Sequence, residues 1–548
     1  MSKRWLALLA AAAVVLTGCA KKSGGDELWK EANNRLIQQH NIKARTRTIP
    51  ATEVPLAMDP GKVRPQSALP KAAIAPGVSA TLAWGRGAMV EWLTMGKGAA
   101  YPSQQLNEEV VTVVREGSGT CNAGGKELPL VKDSVLYLTP GTTRTLKAGP
   151  DGLQAIEVFS PVRVDLLKLA GIAVPDGVKA GFPDQGETPS VTPGQVYQLG
   201  EIQLTPITDP LPNLGYTRSG AYTRLVWGRN VMLSFVRMDP HSYFPIHSHP
   251  EDQLMTLLRG SLVEGVMEVP MPMNEQDHSS ALLPDGMVHD ARMGDFGGDA
   301  LDTFWPVRND YIEKEVKQKA LLDQVVAPDA KPVPVEGAAL SAVLARIAGK
   351  PINGAHALAR DIKGGAYVTN VRSAGARENQ PGAQVHYIAP DGSAKAAIPA
   401  GEYAMLKGGA ISPDGKTLYV SNAGGQPGEN FLYAYDVQSD GSLANKRKLA
   451  MFHLPDSALS APNPADRFSS GAGGMAVDTD GRIYVATALG VQIFDKTGLY
   501  AGYIWCPQYP VDIAFGGKDG DVLYMVGEKQ GWSVQTKVKG FRLPAGMD

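Results

Sequence analysis

Residues 246–253, Ile-His-Ser-His-Pro-Glu-Asp-Gln, and residues 284–289, Pro-Asp-Gly-Met-Val-His, decide how this chain is read. His247 and His249 are two residues apart, so on an extended strand their imidazoles project from one face. Gln253, four residues beyond His249, keeps that parity. A Pro-x-Gly turn then delivers His289 from a second strand. Three neutral imidazoles and an amide oxygen suit one divalent ion, with Zn, Fe, Ni, Cu and Mn all compatible. Two alternating histidines alone are more often ordinary surface; the spaced Gln253 and the second motif turn them into a ligand set.

The full pattern resembles the two signature motifs of the cupin superfamily, small β-barrels that hold a metal inside on three His and a Glu or Gln. The chain contains the unit twice. Ala83-Trp84-Gly85-Arg86 recurs as Val226-Trp227-Gly228-Arg229, a shift of 227 − 84 = 143. The register holds through Met95/Met238 and Gly117-Ser118/Gly260-Ser261. It then slips by two, so that Phe159-Ser160-Pro161-Val162-Arg163 faces Phe304-Trp305-Pro306-Val307-Arg308. A repeat of whole-domain length implies a bicupin.

The copies are unequal. Gln104, Leu106 and Val110 stand in the first where the second has His247, His249 and Gln253, and Arg144 takes the place of His289. Leu and Val cannot ligate a metal, and an Arg in the same cavity repels one. The first copy is therefore scaffold, partner surface or a metal-free pocket, and the second is the candidate centre.

At 548 residues the chain is too long for a single core. With 53 Lys+Arg against 55 Asp+Glu and no basic run, nothing attracts nucleic acid. Gly 61 and Pro 40 supply the turns that an all-β chain requires. Lys3-Arg4 precede an apolar run over residues 5–16, too short to span a membrane, and then Leu16-Thr17-Gly18-Cys19. This resembles a bacterial lipoprotein signal, implying lipidation at Cys19 and a place in the cell envelope; Ala20 fits the outer membrane, facing the periplasm. An exported chain can form a disulfide between Cys121 and Cys506, although the two fall in different expected domains.

The expected order is a signal at 1–18, a tether, short helix and Pro-rich strap at 19–75, and a first cupin at 76–168. A linker at 169–200, a second cupin at 201–315 and a linker at 316–335 follow. Residues 313–323 predict a short helix within this stretch. From 336 to 548 a turn-plus-strand pattern recurs, as in Ser412-Pro413-Asp414-Gly415-Lys416-Thr417-Leu418-Tyr419 and Asp478-Thr479-Asp480-Gly481-Arg482-Ile483-Tyr484. Its spacing suggests propeller blades, about four of them. The block resembles the gluconolactonase/senescence-marker/luciferin-regenerating propellers, above all in Pro510-Val511-Asp512-Ile513-Ala514-Phe515-Gly516-Gly517. The fold class is thus all-β, two cupin barrels followed by a partial β-propeller.

That propeller family holds a divalent metal on a Glu, an Asn and an Asp. By position the Asn falls on Lys407, the Asp on Gly473 and a substrate-contacting Asn on His356, so the usual lactonase metal is doubtful here. The second cupin, with Asp302-Thr303-Phe304-Trp305-Pro306-Val307-Arg308, resembles cupins that ketonise 4,5-unsaturated uronates. That resemblance implies metal ligation by His247, His249, Gln253 and His289, catalysis by Asp302 and Arg308, and a pocket shaped by Phe304. The first copy keeps Glu157 and Arg163 at the places of Asp302 and Arg308, which equally fits a structural ion pair.

The expected function is an envelope metalloprotein acting on a small sugar acid, uronate or lactone. A gluconolactonase-type hydrolase, a cupin dioxygenase and a non-catalytic carbohydrate-binding or assembly protein are the alternatives. Substrate, metal identity and oligomeric state stay open at this level.

Overall fold

The computed structural model describes residues 25–43, 45, 47, 54–176, 178, 186–208, 220–336, 340–341, 357–369, 384–403, 405–424, 429–455, 469–528 and 530–543. Cys19 and His356 lie outside them. The chain divides into two compact units, Met1–Ile202 with Gly220–Ile312, and Gln203–Ser219 with Glu313–Asp548. No helix among the described residues is long and apolar enough to cross a membrane.

The first unit carries both barrels. In the first, the long strands Glu109–Ala123 and Thr143–Ser160 pair along most of their length, and Val78–Trp84, Met89–Met95 and Ser134–Leu138 extend the sheet on either side. The second repeats this with Asp252–Val266 against His289–Trp305, flanked by Ala221–Trp227, Met232–Met238 and Ser280–Leu283. Both copies have a cis peptide at the matching Ser160–Pro161 and Trp305–Pro306. These are the two cupin barrels expected. The strand Lys71–Ala75 already pairs with Val78–Trp84, so the first sheet begins inside the expected strap.

The interiors differ as the sequence comparison requires. Leu106 and Val110 are buried in an apolar core with Trp84, Leu136 and Phe159. Arg144, 1% exposed, donates from Nη1 and Nη2 to Glu157 at 2.6 and 2.7 Å. A guanidinium therefore stands where the second barrel has His289, and the carboxylate matching Asp302 neutralises it. The backs of the two barrels share a second core, in which Val111, Val135, Ile156 and Val158 meet Val226, Leu233, Leu254 and Trp305.

The helix Gly25–Gln39 packs Trp29 against Val266, Leu283 and Met287. Leu36 and Ile37 are only half-buried, and the most deeply buried described side chain of the helix is polar, Asn33. The reason is local: Asn33 satisfies backbone groups of the second barrel, as described below. Cys121 and Cys506 are each a buried free thiol.

Among its described residues the second unit contains four four-stranded antiparallel sheets in a propeller-like arrangement. They begin at Ala357–Arg360, Leu406–Ile411, Met475–Val477 and Asp512–Gly516. The last sheet takes its outer strand from Val333–Val335, which pairs with Gly531–Gln535. A segment expected to be linker thus completes the final blade, because its extended Pro-rich backbone suits an edge strand. The helix expected at 313–323 spans Asn309–Leu322. Tyr367 and Tyr484 of the recurring motif are fully buried, and the Tyr484 hydroxyl donates to Asp478 at 3.0 Å, tying strand to turn.

Candidate metal centre

The strand Tyr243–His247 ends on the first candidate ligand and pairs with His289–Trp305 so that His247 lies opposite His289. His249 follows in the connection to Asp252–Val266, whose second residue is Gln253. The Pro-Asp-Gly turn is tied to the same place, since Gly286 N donates to His249 O at 2.7 Å. Ring centroids of His247, His249 and His289 lie 4.2 to 5.6 Å apart. One ligand atom from each falls within 4.8 Å of the others. This is the one such His, Cys or carboxylate group among the described residues.

Hydrogen bonds fix which nitrogen faces inward. Nδ1 of His247 lies 2.9 Å from Pro245 O, Nδ1 of His249 3.0 Å from Glu251 O, and Nδ1 of His289 2.8 Å from Met287 O. A carbonyl only accepts, so each Nδ1 carries the proton and each Nε2 presents a lone pair. Nε2 of His289 is buried without a partner. Nε2 of His249 faces Gln253 Oε1 at 3.0 Å, one lone pair against another. Two ligand bonds of about 2.1 Å at right angles to a shared cation put their donor atoms about 3.0 Å apart. Burial, like-charged imidazoles and the Arg308 guanidinium hold His247 and His249 well below their usual range. Burial and Arg308 bring His289 down to about 4. All three are neutral at pH 7, as ligands must be. On this geometry the residues fit a divalent ion.

The pocket beside the imidazoles is lined by Gln253, Glu264, Asp302, Arg308 and Tyr311 among apolar residues. Burial pushes Asp302 up to about 7, against a hydrogen bond from Gln253 and the Arg308 charge. Its Oδ1 has no partner. Asp302 and Arg308 are not ion-paired: Arg308 donates from Nε to Asp310 at 3.0 Å and stacks 4.0 Å from the Tyr311 ring centroid. Arg163 makes the equivalent bond to Asp165 in the first barrel, at 3.1 Å from Nε. Phe304 is fully buried, edge-on to His249 at 5.4 Å and beneath Arg308 at 5.0 Å, so it supports the wall from behind.

Five supporting residues escaped the sequence reading. Glu251, 1% exposed, lies 3.6 Å from His249 Nδ1 and is met by Arg45 at 3.3 Å. Asn33 donates to Gly286 O at 2.7 Å and accepts from Val288 N at 2.7 Å, bracketing the turn before His289. Arg86, from the first barrel, binds Asp252 and Asp285. Glu264 lies on the pocket wall. Counting by twos from Gln253 reaches Val263, on the outer face; register shifts at Leu257/Arg259 and Gly260/Leu262 turn Glu264 inward instead.

In the propeller, Lys407 is exposed. A Cβ at Gly473 would lie 2.3 Å from Val511 O, so no acidic side chain fits there without moving backbone.

Residues 340–528 match the family model described as SMP-30/Gluconolactonase/LRE-like region. Among solved structures the chain is similar to a protein assigned as a gluconolactonase, at 24% identity over 33% of this chain and 58% of that one, TM-score 0.27. It thus spans under two thirds of that protein's length. It is also similar to oxalate decarboxylase of Bacillus subtilis, at 13% identity over 48% of this chain and 78% of that one, TM-score 0.34. A cupin 2 conserved barrel domain protein from Leptotrichia buccalis matches at 13% over 46% and 99%, TM-score 0.30.

Proposed function

We propose that the second barrel is a metal-dependent active site for a small sugar acid, with ketonisation of an unsaturated uronate as its reaction type. The supporting observation is two buried imidazoles and the half-buried His247, each with Nδ1 engaged by a carbonyl, clustered with Gln253 beside the raised carboxyl of Asp302. His247, His249, His289 and Gln253 would hold the ion. When bound, it would supply Lewis-acid stabilisation of charge developing on substrate oxygen.

Ring opening of such a uronate frees an enol, and protonation at carbon turns the enol into a ketone; no atoms are gained or lost. Asp302, poised near neutrality, accepts the hydroxyl proton and returns one to carbon. Arg308 supplies positive charge to the substrate carboxylate while Asp310 holds its orientation. The Arg–Asp pair persists in the metal-free barrel, so its geometry is a property of the fold. Asp302, lacking the partner that Glu157 has in Arg144, is the residue devoted to chemistry.

The family match over 340–528 favours sugar-lactone hydrolysis as a second reading. Exposed Lys407 and the packed Gly473 weigh against it, and a binding or structural role suits the propeller better. A lipid anchor at Cys19 and an outer-membrane location belong to the same proposal and rest on the sequence alone.

Elemental analysis of purified protein and of H247A and H289A tests the centre: close to one divalent ion per chain is expected, lost in both variants. Disappearance of the ultraviolet absorbance of a 4,5-unsaturated uronate tests the reaction, with D302N inactive yet metal-loaded. Full metal content in H247A/H289A would remove the site from this barrel.

A further inference from the structure

The pocket contains a second carboxyl that the reaction above leaves unused. Glu264 lies on Asp252–Val266 opposite Ala291, two residues along the strand from His289. It is 1% exposed, it lines the pocket, and neither of its carboxyl oxygens has a hydrogen-bond partner. The same pocket wall carries the apolar side chains of Met255, Leu262 and Met293. The charged groups acting on it are Asp302 and Asp290. Burial first, and these two carboxyls next, hold it well above the usual carboxylate range. A carboxyl buried with both oxygens unpaired is held in its uncharged form, so it faces the pocket with one O–H to give and a carbonyl oxygen to accept.

A buried polar group left unpaired in the free protein is a group that a ligand completes. A hydroxyl both donates and accepts, so it can pair with either half of a carboxylic acid. A carboxylate would leave the C=O unsatisfied, and an alkyl chain would leave both halves so. Sites built to pair with a substrate hydroxyl reject the analogue lacking it by roughly 10⁴–10⁵.

We propose that Glu264 is the specificity-determining residue of this pocket, pairing with a hydroxyl of a polyhydroxylated carboxylic acid whose other oxygens lie at the three imidazoles. The inference rests on the metal-site reading and adds the ligand class.

Calorimetric titration of the full chain, loaded with metal and checked by elemental analysis, compares gluconate with hexanoate, the same carbon chain without hydroxyls. Gluconate is expected to bind at least about 100-fold more tightly. In E264L at least tenfold of that preference is lost, hexanoate binding is kept or strengthened, and the ligand-free Tm rises. E264Q, which can still donate and accept, retains most of the preference. Should E264L fail to fold, E264M carries the same expectation. Equal affinities in the wild type, no gluconate binding, tight binding of an alkylamine instead, or an unchanged preference in E264L overturns the proposal while a metal-loaded protein leaves the centre standing. Protein that takes up no metal overturns both.

Discussion

Glu109 and Asp252 occupy the same position of the repeat, 252 − 109 = 143, and each reaches into the other barrel to hold its Trp-Gly-Arg turn. Glu109 accepts from the backbone N–H of Arg229, Asn230 and Val231 at 2.7, 2.8 and 3.1 Å. Gly228 allows this approach, for a Cβ there would sit 2.4 Å from the Glu109 carboxylate. Asp252 accepts instead from the side chain of Arg86, at 2.8 Å from Nε, and from Asp285 N at 3.1 Å. The two barrels thus meet as a pseudo-twofold pair, each patch meeting its own counterpart as in a symmetric dimer.

The asymmetry within that relationship gives the metal-free barrel a task. Asp252 precedes Gln253, and Asp285 lies in the turn that leads to His289, so Arg86 grips both arms of the ligand set. Outer partners of this kind govern metal affinity by about 10–100-fold. R86A is expected to weaken metal binding by that factor in chelator competition. E109Q should loosen the mirror contact and lower stability without a comparable loss of affinity. Equal affinity in R86A and wild type would sever the first barrel from the centre.

Asn33 grips the same turn from the N-terminal helix, through Gly286 O and Val288 N. N33A leaves both backbone groups buried and unpaired, a cost of about 1–3 kcal/mol for each. Faster hydrogen exchange of the amides at 286–289 is expected, with weaker metal binding. N33D keeps the acceptor for Val288 N but sets a carboxylate against Gly286 O, so it should recover none of the loss. Removal of the helix should reproduce the N33A affinity.

The imidazole cluster was legible in the sequence because side chains on a strand obey a period of two, and because the first copy shows what a barrel without it looks like. His247, His249 and His289 lie together, with Gln253 beside His249. Arg86, Asn33 and Arg45 were not legible, since they act from 150 or more residues away and no local pattern announces such a contact. Glu264 was hidden by bulges that reverse strand parity. The Arg308–Asp302 pairing considered at first gives way to Arg308–Asp310, visible only once the turn after the cis-proline is built.

The presence of Arg144 where the second barrel has His289 carries its own energetic signature. Arg144 and Glu157 are both fully buried, and Thr112 donates to the same carboxylate at 2.5 Å. R144A leaves Glu157 without its counterion, which costs about 3–5 kcal/mol. R144M/E157L removes both charges at similar volume and should recover most of that loss in urea unfolding. If the double variant were as unstable as R144A, the pair would be supplying more than mutual neutralisation.

Glu91 gives the first barrel a pH dependence that can be measured apart from the metal. It is fully buried with both oxygens unpartnered, facing Glu157 with Arg163 and Arg144 nearby. Burial, reinforced by Glu157, pushes its carboxyl up to about 8 despite the two guanidinium groups. An unfolded Glu titrates near about 4.3, so between these values the folded chain retains a proton that the unfolded chain has lost. Stability from this group is complete below about pH 4 and falls as pH rises, at roughly 1.4 kcal/mol per unit, until the folded carboxyl itself ionises. Above about pH 8 the penalty is constant. E91Q should flatten this segment of the profile and raise stability at pH 8 by a few kcal/mol at most, since the glutamine keeps the shape without the titration. The check is urea unfolding from pH 5 to 9 on wild type and E91Q without metal. Parallel profiles would place the ionised form of Glu91 in the fold, paired through Arg163 after all.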